Sequence, residues 1–276
     1  MSTWDPGIEP PHVPIGPVGW ILVVFRGLVL GVVTFGGLAL LLLVRVVEQP
    51  IHGLNRPWTP WITQAVCATA FVVLGIRYRV EGKRMTERGA VVSNHVAWLD
   101  IFALNARKRV YFVSKSEVAH WPGIGWLAKA TGTVFINRDR REAKAQQTIF
   151  EDRLLAGHKL LFFPEGTSTD GRRVLPFKST LFQAFFSPRL EHALYIQPVT
   201  LIYRAPRGQD KRFYGWWGDM EFGPHLLQVL GALRQGSVTV KYHAPLRVDE
   251  YANRKALAEA CEAEVRSGLP ADLRED

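Results

Sequence analysis

The first apolar pattern from the N-terminus is an uncharged run over residues 27–44, bracketed by Arg26 and Arg45. As a helix it is about 27 Å long at roughly 1.5 Å per residue, marginally enough to cross a hydrocarbon core. A second uncharged run over 58–76 contains Thr63, Gln64 and Thr69 and reads as a weaker, interfacial helix. Together the two predict a membrane hairpin; the alternative is that one of them is a buried helix of a soluble core. Beyond residue 76 the pattern changes to short apolar stretches separated by helical ones. Strands are predicted near 77–80, 90–93, 110–113, 133–137, 159–163, 196–203 and 237–242. The segment 139–156 reads as a helix, with Asp139 at its start, Ala143, Phe150 and Leu154 at spacings of seven and four, and Gly157 as its stop. This alternation predicts an α/β fold with helices on the faces of a sheet. It divides the chain into N-terminal membrane-associated helices (1–76) and a domain over 77–276 that carries the chemistry. Pro198, inside a predicted strand, calls for an edge or a bend there.

Composition narrows the setting. With 276 residues, 47% of them hydrophobic, the chain can fill one substantial core and still spare apolar sequence for lipid. The 34 basic against 25 acidic residues give +9, which favours a polyanionic partner, nucleic acid or anionic headgroups. Trp20, Trp58 and Trp61 stand beside the apolar runs, where an indole at a bilayer interface keeps its N–H wet, so membrane lipids are the preferred partner. Nucleic acid is not expected, because no motif interleaves basic residues with aromatic ones. The two cysteines, Cys67 and Cys261, form neither a disulfide framework nor a metal motif, which points to a reducing, cytoplasm-facing domain. No basic n-region or cleavage site precedes the apolar stretch, so a cleaved signal peptide is not expected.

Candidate chemistry lies where predicted strands end, the usual place for sites in α/β sheets. The first constellation is Asn94-His95-Val96-Ala97-Trp98-Leu99-Asp100. Residues five apart on an ideal helix diverge by about 140°, so His95 and Asp100 meet only if His95 lies in the turn and Asp100 in the following helix. A carboxylate so placed holds one imidazole nitrogen and leaves the other to take a proton from a hydroxyl. A structural histidine at a helix start is the competing reading. The second constellation, Phe163-Pro164-Glu165-Gly166-Thr167, follows another apolar strand and reads either as a cradle for acceptor oxygens or as ordinary turn chemistry. The third, Gly132-Thr133-Val134-Phe135-Ile136-Asn137-Arg138, puts a guanidinium after a strand, suited to a phosphate or carboxylate or simply solvated.

Taken in this order, and with Pro198-Val199 as a fourth block, the motifs resemble the glycerophospholipid acyltransferase family, the group of 1-acylglycerol-3-phosphate acyltransferases. The resemblance covers roughly residues 77–204. It implies a mixed sheet flanked by helices with an N-terminal two-helix membrane motif, and it implies His95 as general base with Asp100 as its partner. It also implies headgroup contacts from Arg138, Glu165 and Gly166, to which Asn94, Thr167 and Lys115 are added as substrate-binding candidates. In the phosphatidate-forming members an arginine usually follows Gly-Thr; here Ser168-Thr169-Asp170-Gly171 follow, leaving Arg172 or Arg173 as substitutes or a different acceptor. The stretch from Thr167 to Ser179, with Tyr214-Gly215-Trp216-Trp217-Gly218-Asp219, is similar to the branch that includes the lyso-ornithine lipid acyltransferases.

The reaction so implied is transfer of a fatty acyl group from acyl-CoA or acyl carrier protein to the hydroxyl of a lysolipid, with no metal and no bound organic cofactor, at the cytoplasmic (inner) membrane with the catalytic domain facing the cytoplasm. Neither Ser93 nor Cys67 stands in a nucleophile motif. Lys83, Arg84, Arg107, Lys108 and Arg109 dock the domain on anionic headgroups, attract the acidic donor, or simply form solvated faces. Two rivals stand beside this reading: a zinc hydrolase using His95, Asp100 and His120, which lacks a supporting HExxH or paired-cysteine spacing, and a membrane-tethered lipid-binding protein without turnover.

Overall fold

The computed structural model describes residues 4–11, 13–137, 143–190 and 194–275. The uncharged run lies inside a much longer helix, α1 (Pro17–His52), which starts with proline at its first position and stops at Gly53, φ +57°. Arg26 and Arg45 are therefore internal rather than terminal. The reason is that each has partners beside the helix. Arg26 donates from Nη1 to the carbonyls of Leu230 and Ala232, both at 2.7 Å. Arg45 reaches Gly53 O at 2.7 Å and Glu48 at 3.1 Å. Glu48, fully buried, accepts from the amides of Trp58 and Thr59 and from the Thr59 hydroxyl. A carboxylate from α1 thus meets the free amides at the start of α2 (Thr59–Leu74) and pins the hairpin. Gly75, φ +77°, closes α2 with its amide on Phe71 O.

The sheet follows the predicted strands closely: β1 (Arg77–Glu81), β2 (Gly89–Ser93), β3 (Tyr111–Lys115), β4 (Val134–Ile136), β5 (Leu160–Phe162), β6 (Tyr195–Arg204) and β7 (Ser237–Tyr242), with a short unpredicted β8 (Leu246–Arg247). Their order is β1-β7-β6-β2-β5-β3-β4, with β8 on β6. Only the β6–β7 and β6–β8 pairs are antiparallel, so the sheet is mixed. Pro198 falls where the second edge of β6 changes partner, between Tyr195–Ile196 on β8 and Val199–Arg204 on β7, the break that proline requires.

Alternation along β2 divides the core. Val91 faces α1, α2, α3 (Leu99–Asn105) and α6 (Phe222–Gly231) through Val23, Phe71, Leu104 and Leu230. Ala90 and Val92 face the opposite side, where Phe150 and Leu154 of α5 (Ala143–Leu155) and Leu257, Cys261 and Val265 of α7 (Arg254–Gly268) pack. The remaining helix, α4 (Ile124–Thr131), leads into β4. The predicted helix 139–156 is seen from Ala143 onward; its start falls outside the described residues. The second apolar run proves half core, since Cys67, Ala70, Phe71 and Leu74 are buried. The hairpin's outer side is different. Only 6% of the most apolar stretch of α1 is buried, and Trp20, Phe25, Leu28, Val32, Phe35 and Leu43 stand exposed. Such an apolar helix, long enough to cross a bilayer, suggests membrane association. Concentrated salt is expected to leave the full chain in a membrane pellet and detergent to release it, because apolar burial is not screened by ions. Release by salt alone in a sedimentation assay would mean that charge contacts hold it.

Candidate active site

The site forms because β2 and β5 are parallel neighbours, with Val92 opposite Phe162. Their C-terminal ends therefore open side by side, and the turn carrying His95 meets the loop carrying Glu165, 70 residues later. His95 lies in the turn before α3 and Asp100 in the first turn of that helix, the arrangement their spacing requires. His95 Nδ1 stands 2.7 Å from Asp100 Oδ2. The same oxygen accepts from the amides of Val96 (2.7 Å) and Ala97 (3.1 Å), while Oδ1 accepts from the Tyr203 hydroxyl at 2.9 Å. The Asp100 side chain has no exposure and that of His95 retains 21%, so the carboxylate is sealed below while the imidazole faces outward. Since Nδ1–H donates to the carboxylate, Nε2 is left as the acceptor. The Phe163 ring stacks on the imidazole at 4.0 Å between centroids and 11° between planes, fixing its orientation.

Tyr203 and Phe163 are the partners that single-residue reasoning missed. Tyr203 enters from β6, about a hundred residues away, and no local pattern announces it. Burial and the Asp100 charge raise its phenol well above the usual range, so it remains a donor. Tyr203→Phe is expected to lower kcat roughly 10-fold with little change in donor KM, because a hydrogen bond to a charged group contributes about 1.5–3 kcal/mol and only part of it supports the imidazolium. Initial-rate measurements check this.

Glu165 does not offer its oxygens to a substrate. It is 1% exposed; Oε1 accepts from the His95 amide at 2.7 Å and Oε2 from the Leu175 amide at 2.9 Å, so it ties the two motif loops together. Burial pushes its carboxyl up to about 8, with the two amides pulling in the opposite sense. Asn94 is likewise turned inward. Fully buried, it donates to Leu201 O (3.0 Å) and accepts from Leu201 N (2.8 Å), a side-chain splice between β2 and β6 rather than a substrate contact. Gly166, φ +75°, has its open side against the Lys178 ammonium, 2.6 Å from where a Cβ would stand, so the glycine makes room for a cation that sequence reasoning gave no role. Thr167 Oγ1 receives the amide of Trp4 at 3.4 Å, which brings the N-terminal segment to the site. Lys115 ends β3 on the same edge, two strands from His95. Arg138 lies outside the described residues.

The substitutes for the missing arginine are engaged elsewhere. Arg173 pairs with Asp170 (3.2 Å) and Glu275 (2.7 Å), with the Trp4 ring against its guanidinium, and Arg172 pairs with Glu275 (3.1 Å). His120 closes the short helical turn Ser116–His120, and no group of three His, Cys, Asp or Glu able to hold a metal occurs among the described residues.

A histidine backed by a buried carboxylate at a strand end, in a chain that carries an apolar hairpin, fits the class of enzymes that move acyl groups between amphiphiles. The comparisons with known proteins agree. The family model described as Acyltransferase matches residues 77–202. A lyso-ornithine lipid O-acyltransferase of Rhodobacter capsulatus is 57% identical over 96% of both chains, and one of Pseudomonas aeruginosa is 33% identical over 87% of this chain and 90% of that protein. The crystal structure of PlsC, the 1-acyl-sn-glycerophosphate acyltransferase of Thermotoga maritima, superposes with a TM-score of 0.64 at 20% identity over 91% of this chain and 94% of that one, a likeness of fold. The chain belongs to the acyltransferase family.

Proposed function

We propose that the protein transfers a fatty acyl group from acyl-CoA or acyl-ACP to the free hydroxyl of a lyso-ornithine lipid, with lysophosphatidate as a possible second acceptor. The observation that carries the chemistry is the His95–Asp100 pair, sealed on one side and open on the other. His95 Nε2 takes the proton as the acceptor oxygen attacks the thioester carbonyl carbon, and Asp100 stabilises the resulting imidazolium. When the C–S bond breaks, the imidazolium returns that proton to the leaving thiolate. Hydroxyl and thioester become ester and thiol, so the balance needs no metal, redox partner or acyl-enzyme.

Two observations favour the acceptor. The relative with 57% identity bears the name lyso-ornithine lipid O-acyltransferase, and Arg172 and Arg173 are held by Asp170 and Glu275 rather than left for a phosphate. The ornithine head carries no phosphate, and its carboxylate stands beside an amine of opposite charge, so it asks for less added positive charge. The long acyl chains of both substrates favour a site beside lipid, at the cytoplasmic membrane with the sheet domain on the cytoplasmic side. Acyl transfer to lyso-ornithine lipid and to lysophosphatidate at matched donor concentration tests the reading. Preference for the first is expected, and strict use of lysophosphatidate would overturn it.

A further inference from the structure

A cleft of about 1090 Å³ lies at the opposite end of the sheet from His95, around the approaches to β2, β3 and β5. Its lining contains Arg56, Arg84, Arg107, Lys108, Arg109 and Lys159, and no carboxylate among the described residues. Of the acids outside the lining, Glu48 is taken up by Trp58, Thr59 and Arg45. Glu87, which accepts from the Thr86 amide, is the one carboxylate among the described residues whose charge reaches Lys108 and Lys159, one negative charge against six cations. Lys108 is the sharpest sign of a missing counter-charge. It is 6% exposed, and among the described residues its ammonium contacts neutral groups, Gln197 Oε1 at 3.1 Å and the face of Tyr242 at 5.5 Å. Burial, with Lys159 and Arg84 close by, pulls it down to about 7 against the opposing effect of Glu87. Buried cations are ordinarily paired, so a cation left this way beside an open cleft is what a bound anion would neutralise.

The opposite wall is of another kind. Trp61, Ala65 and Ala68 of α2 form it, continuous with the apolar outer side of the hairpin, and Arg109 lies over the Trp61 ring at 4.3 Å. Cationic floor and apolar wall together match an amphiphile with an anionic head: phosphate among the guanidinia, acyl chain along α2 into the bilayer. We infer that this cleft is a second lipid site, holding the phosphate headgroup of an anionic phospholipid of the surrounding membrane and thereby orienting the sheet domain on it. The inference rests on the membrane association proposed above. A thioester donor is the competing occupant, since β2 spans only about 17 Å between the cleft and His95, and the KM for acyl-CoA separates the two.

Flotation of the full-length chain with vesicles tests this, using phosphatidylcholine alone or mixed with phosphatidylglycerol, for the wild type and for the triple variant Arg84→Gln, Arg107→Gln, Arg109→Gln. All three residues are exposed, so the fold should tolerate the change. Wild type is expected to bind neutral vesicles through the hairpin and to gain affinity with phosphatidylglycerol. The variant should keep the neutral binding and lose most of the gain, roughly 5-fold for each charge and about 100-fold for the three. Absence of neutral binding in the wild type would sink membrane insertion by the hairpin, a separate result from the cleft's. A variant with the full phosphatidylglycerol gain would overturn the site. So would a variant that keeps this gain but shows a raised KM for acyl-CoA, since the cleft would then serve the donor's phosphates. Lys108→Met, which removes the buried cation and leaves the exposed ones, should also reduce the gain; an undiminished gain there would overturn the cleft as a phosphate site and leave only a basic surface.

Discussion

His95→Ala is expected to reduce acyl transfer by at least 10²- to 10⁴-fold, the usual contribution of general-base catalysis, with the loss falling on kcat rather than on donor binding. The imidazole is partly open at the end of β2 and touches its surroundings chiefly through Asp100 and the Phe163 ring, so the variant should fold and enter membranes as the wild type does. Asp100→Asn should be nearly as damaging. An amide in that position can turn its NH2 toward Nδ1, which favours the tautomer with the proton on Nε2 and removes the charge that stabilises the imidazolium. It also meets the amides of Val96 and Ala97 with one oxygen fewer. Because both residues act through one proton, the double variant should be little worse than His95→Ala alone. Near-normal transfer by folded, membrane-bound His95→Ala protein would make the pair a structural turn.

Glu165 carries the second large effect, and it falls first on stability. Glu165→Ala leaves the amides of His95 and Leu175 without acceptors in the interior, at about 1–3 kcal/mol each. With roughly 2–4 °C per kcal/mol for a domain of this size, thermal unfolding in detergent should drop by about 5–20 °C. Glu165→Gln keeps one acceptor and should fall between the two. The carboxyl also predicts a pH dependence. Its folded value, raised from 4.5 to about 8, means that the folded chain holds a proton the unfolded chain has released between those limits. Its contribution to stability is therefore full below pH 4.5 and lost as the pH rises to about 8. Glu165→Gln should flatten that slope; an identical slope in both proteins would remove Glu165 as its source. Turnover should fall as well, since the His95 backbone is anchored through this carboxylate.

Most of the architecture was legible in the chain because it depends on local periodicity. Seven of the strands and the two N-terminal helices follow from apolar runs and their glycine and proline punctuation, and the His95–Asp100 spacing already required a turn followed by a helix start. The extent of α1 was not legible: Arg26 looked like the end of an apolar run because its partners, the carbonyls of Leu230 and Ala232, come from α6. β8 escaped because two residues carry no period.

The sequence by itself determined the geometry of the His95–Asp100 pair, the α/β class and the apolar hairpin, since each rests on residues within a few positions of one another. Only the tertiary structure decided what the other motif residues do. Asn94 and Glu165 read as substrate ligands because they stand in the motifs that carry the family resemblance, yet both are turned inward onto backbone groups of β6 and of the turns. A buried amide or carbonyl must find a partner, and which side chain supplies it depends on strands brought together from about 100 residues away. Tyr203 beneath Asp100, and the cations gathered around one cleft from the segments that precede α2, β2, β3 and β5, are set by that same sheet order. Spacing along the chain carries no record of it.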